Sequence, residues 1–180
     1  MGDYFQVIAD VDAGGDEAPR LAAGLLTWLV AAGIVGAERT DCVLGAPLGN
    51  PPGPRYESAV TAPDERLRTR WTNGVEVFAG ATVVDAGQGA DDDPRCPHCE
   101  TGDPQWDAVQ AAIAPWPAGR PGDVTCVGCG RTTPVGDWVP WAFARVGVRF
   151  WNWPPLRAEF VHETARRLGG HRVRVVDGKL

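Results

Sequence analysis

Four of the chain's five cysteines fall in two CxxC pairs, Cys96-Pro97-His98-Cys99 and Cys126-Val127-Gly128-Cys129, separated by residues 100–125. A CxxC turn carries both sulfurs on one side of a tight loop. Two such turns facing each other form a tetrahedral four-thiolate cage, the arrangement that zinc favours. These residues therefore predict one structural zinc ion held by Cys96, Cys99, Cys126 and Cys129. Four thiolates close the coordination sphere, whereas a catalytic zinc keeps a position open for water and usually includes histidine. The pattern thus argues against a zinc hydrolase and names no catalytic residue. His98 lies between two ligands, but a four-cysteine cage does not need it, and His162 and His171 show no partner pattern.

The second pair, with Gly130 directly after its last cysteine, resembles the knuckles of zinc-ribbon proteins. The first pair fits the same pattern, except that Glu100 stands where that glycine would be. The resemblance covers residues 96–130 of the 180 and implies a metal site, not an activity. Cys96-Pro97-His98-Cys99 is also similar to the active-site motif of thiol-disulfide oxidoreductases of the thioredoxin superfamily, in which the first cysteine is a thiolate at a helix N-terminus. Here Glu100-Thr101-Gly102-Asp103-Pro104 follows at once and opposes a long helix, and the second pair would have no role. Cys42, among apolar neighbours, reads as a small buried hydrophobe. Asp10 and Asp12 close a predicted strand and invite an acid–base reading, but nothing near them in sequence completes a site.

Tryptophan is the other anomaly. Of eight, six (Trp106, Trp116, Trp138, Trp141, Trp151 and Trp153) lie between the first knuckle and the last predicted helix. Large rings can fill the seam between a small metal module and a larger core. Alternatively, Trp151 and Trp153 with Arg149 and Arg157 would form a basic aromatic edge, suited to anchoring a protein partner or to stacking bases and holding phosphates. Pro140, Pro154 and Pro155 cannot donate backbone hydrogen bonds. On that ground at least one of Trp151 and Trp153 is expected to be exposed. The net charge of −6 weighs against nucleic acid, because phosphate neutralisation dominates such binding. It is unevenly spread, since residues 131–180 carry nine basic and four acidic side chains, a local +5. That excess marks either an anionic partner or a half that neutralises the other.

The elements that must position these residues follow from periodicity. Tyr4 to Asp12 alternates as a strand. Leu21, Leu25, Trp28, Leu29 and Ala32 recur at helical spacing after a cap at Asp16, with Gly33 as the stop. Thr40 to Pro63 is dense in proline and glycine and reads as a long loop, although an extra strand near Cys42 to Leu44 would change the topology. Asp64 to Thr72 reads as one or two helical turns. Val75 to Val84 reads as one bulged strand or two short ones, interrupted by Gly80. The run Asp91-Asp92-Asp93 marks a boundary, and Asp103-Pro104 starts a short helix with Trp106, Val109 and Ile113 on one face. A strand through Phe143 to Phe150, a helix from Leu156 to Leu168 and a strand from Arg172 to Asp177 complete the chain.

Without the cysteine module the order is strand, helix, strand, strand, helix, strand, the split βαβ pattern of a ferredoxin-like α+β sandwich. Residues 1–90 and 135–180 would form this core and residues 91–134 a zinc-ribbon insertion. The N-terminus has no basic region before an apolar stretch, and the run Leu21 to Val35 is too short to span a bilayer, so neither a signal peptide nor a membrane segment is expected. Clustered cysteines then point to a reducing cytoplasm. The residues predict a zinc-binding, non-catalytic module for a protein partner, with nucleic-acid binding and thiol–disulfide exchange as the alternatives.

Overall fold

Alternation of Phe5, Val7 and Ala9 with Gln6, Ile8 and Asp10 produces β1 (Tyr4–Asp10) in the computed structural model, which describes residues 2–45, 48–88, 93–99 and 104–180. Helix α1 (Ala18–Ala31) buries Leu21, Leu25 and Leu29 along one stripe, with Pro19 in its first turn. Each fully buried leucine contributes about 1.5–3 kcal/mol. The cap is Glu17, not the expected Asp16; its carboxylate accepts from the Gly14 N–H at 2.9 Å and so secures the preceding turn. Gly33 ends the helix as expected, at φ 72°, a left-handed conformation that glycine adopts without strain. Its N–H donates to the Val30 carbonyl at 2.9 Å, and the Ile34 N–H to that of Leu29 at 3.0 Å.

The long loop that follows carries no strand at Cys42 to Leu44 among the described residues, so the topology does not change there. Instead it folds under the sheet. Cys42 and Val43 are buried with Phe5, Val7, Ala9 and Trp151. A Cβ at Gly74 would come within 2.3 Å of the Cys42 sulfur, so only glycine permits this approach. Short 3-10 turns stand at Tyr56–Ala59 and Glu65–Thr69, the second capped by Asp64 accepting from the Arg66 N–H at 2.9 Å.

Strand β2 (Val75–Val84) is a single bulged strand; its register shifts between Ala79 and Thr82, around Gly80 at φ 130°. After the cysteine module come β5 (Ala142–Trp151), α3 (Ala158–Arg167) and β6 (Val173–Lys179). The module itself supplies α2 (Trp106–Ile113), β3 (Asp123–Thr125) and β4 (Thr132–Pro134). The main sheet has the order β2-β5-β1-β6 with every neighbouring pair antiparallel. One face packs Ile8, Val146, Val148 and Phe150 against α1 and Phe160 of α3. The other face is the cluster closed by Cys42 and Val43.

The structure overturns the exposed aromatic edge. Trp151 and Trp153 are 1% and 5% exposed. Asn152 between them adopts φ 58°, and its side-chain amide donates to Asp3 and to the Thr72 carbonyl, each at 2.7 Å, which lets the chain turn while both rings stay inside. The Trp153 indole N–H donates to the Asn73 carbonyl at 2.7 Å, and its ring meets Tyr56 and Phe150 edge-on. Pro155 does not hold the chain away from the core, because its carbonyl accepts from the Thr61 N–H at 2.8 Å. The two arginines of the expected edge are engaged as well: Arg149 pairs with Glu76 at 3.3 Å, and Arg157 donates to the Val60 carbonyl.

Trp116 and Trp138, by contrast, do lie at the seam between the cysteine module and the sheet. Val109, Ala112, Trp116, Val124, Val135 and Trp138 form a third apolar cluster that includes Phe143 of β5, with Trp141 half-buried beside it. The Trp116 N–H donates to the Thr82 carbonyl of β2 at 3.3 Å, and that of Trp138 to the Thr133 hydroxyl at 2.8 Å. On α2 the inward residues are Val109 and Ala112, while Trp106 and Ile113 are half-buried, and Gln105 stands at its N-cap with φ 44°. Asp103, the expected cap, lies outside the described residues, as do Asp91 and Asp92 of the boundary run.

Arg145 clamps the module to the sheet. Its side chain lies against Gly15, its guanidinium sits 4.5 Å from the Trp116 ring centre, and it donates to the Trp116 carbonyl at 3.2 Å and to that of Gly119. Arg145→Ala should destabilise the protein by about 1–3 kcal/mol. Arg145→Lys should recover little of this, because an ammonium cannot stack and donate in one plane. Chemical denaturation of the three proteins measures both.

Candidate metal centre

Cys96 and Cys126 are buried and Cys99 and Cys129 exposed, so the site sits at the module's surface with one sulfur of each turn rooted in its core. The turns face each other with crossed partners: Cys96 Sγ lies 3.8 Å from Cys129 Sγ, and Cys99 Sγ 3.6 Å from Cys126 Sγ. All four sulfurs lie within 4.8 Å of one another. A tetrahedron with metal–sulfur distances of about 2.3 Å has edges of about 3.8 Å, so the spacing fits a zinc-sized ion without rearrangement. No sulfurs are joined as disulfides among these cysteines.

Local backbone geometry explains the convergence. The β3–β4 hairpin places the second turn at its tip, closed by the Cys126 N–H donating to the Arg131 carbonyl at 2.9 Å and the Gly130 N–H to the Cys126 carbonyl at 2.8 Å. Gly130 has φ 70°, which explains the glycine after the last cysteine. Backbone N–H groups point at the sulfurs: His98 N–H lies 3.4 Å from Cys96 Sγ, and the N–H of Cys129 is the main influence lowering the Cys126 thiol's pKa. Such donors favour thiolate, the form that binds metal, at Cys126. At Cys129 the backbone hydrogen bond from Arg131 is outweighed by burial and the neighbouring cysteines, which push the thiol up to about 11. His98 is turned away, its Nδ1 3.2 Å from the Arg131 guanidinium, and is no member of the sulfur cluster. Thiol exchange is also poorly served, since Cys96, the cysteine that would attack, is 1% exposed.

Outside the module the structure brings together residues whose partnership the sequence concealed. Asp10, fully buried at the end of β1, accepts from the N–H groups of Asp12 and Ala13, each at 2.9 Å. Its other oxygen lies 2.9 Å from His171 Nδ1. Asp12 binds Arg172 in bidentate fashion, with Nη2–Oδ1 at 2.7 Å, and the hydrogen bond from Arg172 holds its carboxyl below the usual range. These contacts tie β1 to β6 across 160 residues, so only the strand order, not local spacing, could have revealed them.

The hydrogen bond to Asp10 raises the His171 pKa above its ordinary value, against a smaller opposing effect of burial. A raised histidine adds stability that is complete below its unfolded pKa, about 6.5, and is lost as pH rises through the higher folded value. As pH rises above about 6.5 the thermal midpoint of the protein should therefore fall relative to that of His171→Ala. Parallel melting curves would contradict the pair's contribution.

Among the described residues no helix is long and apolar enough to cross a membrane. Comparison with protein-family models, with curated proteins and with solved structures gives no match to this chain, so the metal centre rests on its own geometry.

Proposed function

We propose that this chain is a non-catalytic protein-interaction module stabilised by one structural zinc ion. In this reading residues 1–90 and 135–180 form a ferredoxin-like sandwich and residues 91–134 a zinc-ribbon insert. The sheet order β2-β5-β1-β6, with α1 and α3 on one face, supports the sandwich. The observation that carries the reading is the closure of four sulfurs within 4.8 Å of one another, which supplies four ligands and leaves no position for a reacting water. Zinc is favoured because sulfur-only tetrahedral sites suit it, and a reducing cytoplasm suits four unpaired thiols. The nucleic-acid alternative loses its site at Trp151 and Trp153, whose faces are covered.

Elemental analysis of protein purified without added metal should give one zinc per chain. A chelator should then expose residues 104–135 to protease while leaving the main sheet intact. A zinc-free chain with a protected insert would overturn the reading.

A further inference from the structure

The module and the sheet do not meet along their whole border. At the end of the sheet where β1 stops and β5 and β6 begin, they leave a half-open cleft of about 1190 Å³, a size that accommodates a small organic ligand. Its walls include Val11 to Gly15 after β1, Arg145, Arg172 and Arg174 at the starts of β5 and β6, Trp116 to Pro121 of the module, and the segment around Gly136 and Asp137.

Two kinds of group line it. Arg172 is neutralised by Asp12, but Arg145 and Arg174 are not neutralised by any carboxylate among the described residues. They donate to main-chain carbonyls, Arg145 to Trp116 and Gly119 and Arg174 to Trp141, which fix their position and leave their charge uncompensated. Arg120 is exposed on the opposing lip. Against these three cations stand Asp123 and Asp137, so the cleft keeps a positive balance on a chain whose net charge is −6. Trp141 is half-buried and also lines the cleft. A guanidinium binds phosphate through paired N–H donors, and an indole face stacks planar rings.

We propose that this cleft binds a ligand combining a planar ring with phosphate, a nucleotide, its phosphates among Arg120, Arg145 and Arg174 and its base against Trp141. The proposal goes beyond the metal-stabilised interaction reading and stands or falls separately, because the cleft's cations are not metal ligands. The base-and-phosphate chemistry could come from a free nucleotide or from the end of a single strand.

The test titrates zinc-loaded, full-length protein with ATP, adenosine, inorganic phosphate and a short oligodeoxynucleotide, following tryptophan fluorescence and heat. ATP should saturate, and adenosine or phosphate alone should bind at least about tenfold more weakly, equivalent to about 1.4 kcal/mol. Arg120→Glu and Arg174→Glu should each weaken ATP at least about tenfold, while Arg66→Glu, in a separate depression beside Trp153, should not. Arg120 is exposed, so its variant decides the matter even if Arg174→Glu fails to fold. An oligodeoxynucleotide that displaces ATP and binds more tightly would assign the chemistry to a strand end. No saturation by ATP or the oligodeoxynucleotide, phosphate binding as well as ATP, or indifference to Arg120→Glu would overturn the proposal.

Discussion

Replacing Cys126 with serine should abolish metal binding and free the module while the four-stranded sheet remains folded. The sulfur of Cys126 is buried and lies 3.6 Å from that of Cys99, so its loss removes one ligand and leaves three thiolates without a closed site. Structural zinc contributes roughly 10–16 kcal/mol to the folding of small metal-dependent modules. The insert's own core, around Val109, Trp116 and Trp138, is small and shares Phe143 with the sheet. Zinc content should fall from one ion per chain to less than about a tenth. Amide protection should be lost across α2, β3 and β4 and kept in β1, β5 and β6. Cooperative loss of the entire fold would show instead that module and sheet are one folding unit.

The second large effect lies in the main core. Trp153→Ala should cost about 3–5 kcal/mol, as expected for truncating a buried aromatic residue. It leaves a cavity beside Tyr56 and Phe150 and orphans the Asn73 carbonyl that the indole N–H satisfies. For a chain of this size the thermal midpoint should drop by roughly 6–20 °C. A pair of milder variants separates the hydrogen bond from the packing. Trp151→Phe should cost less than Trp153→Phe, because the Trp151 indole N–H is buried with no partner among the described residues while that of Trp153 has one. Equal costs in urea denaturation would contradict the assignment.

The four-cysteine cluster was legible because a CxxC turn is a local device; the spacing alone places two sulfurs on one side. Strands and helices with clear periodicity were legible for the same reason, as were Gly33 and the Gly80 bulge, where a left-handed or irregular backbone leaves a glycine in the sequence. Burial of Trp151 and Trp153 was not legible. It depends on Asp3, Tyr56, Thr72 and Asn73 arriving from distant parts of the chain, and proline's missing N–H says only that a donor is absent, not that the chain is at the surface. The Asp10–His171 and Asp12–Arg172 pairs were hidden by the same separation, and they also show why the basic C-terminal third is less basic in space than in sequence. The cap of α1 falls one residue later than expected, at Glu17, whose side chain caps no helix N–H and instead accepts from the Gly14 N–H of the preceding turn.

The account rests on four thiolates holding one ion, and X-ray absorption at the zinc edge of the purified protein measures this directly. It predicts a single shell of four sulfurs at about 2.3 Å with no nitrogen or oxygen scatterer. A shell containing nitrogen or oxygen would bring His98 or water into the coordination sphere, and the claim of a closed, non-catalytic site would be wrong.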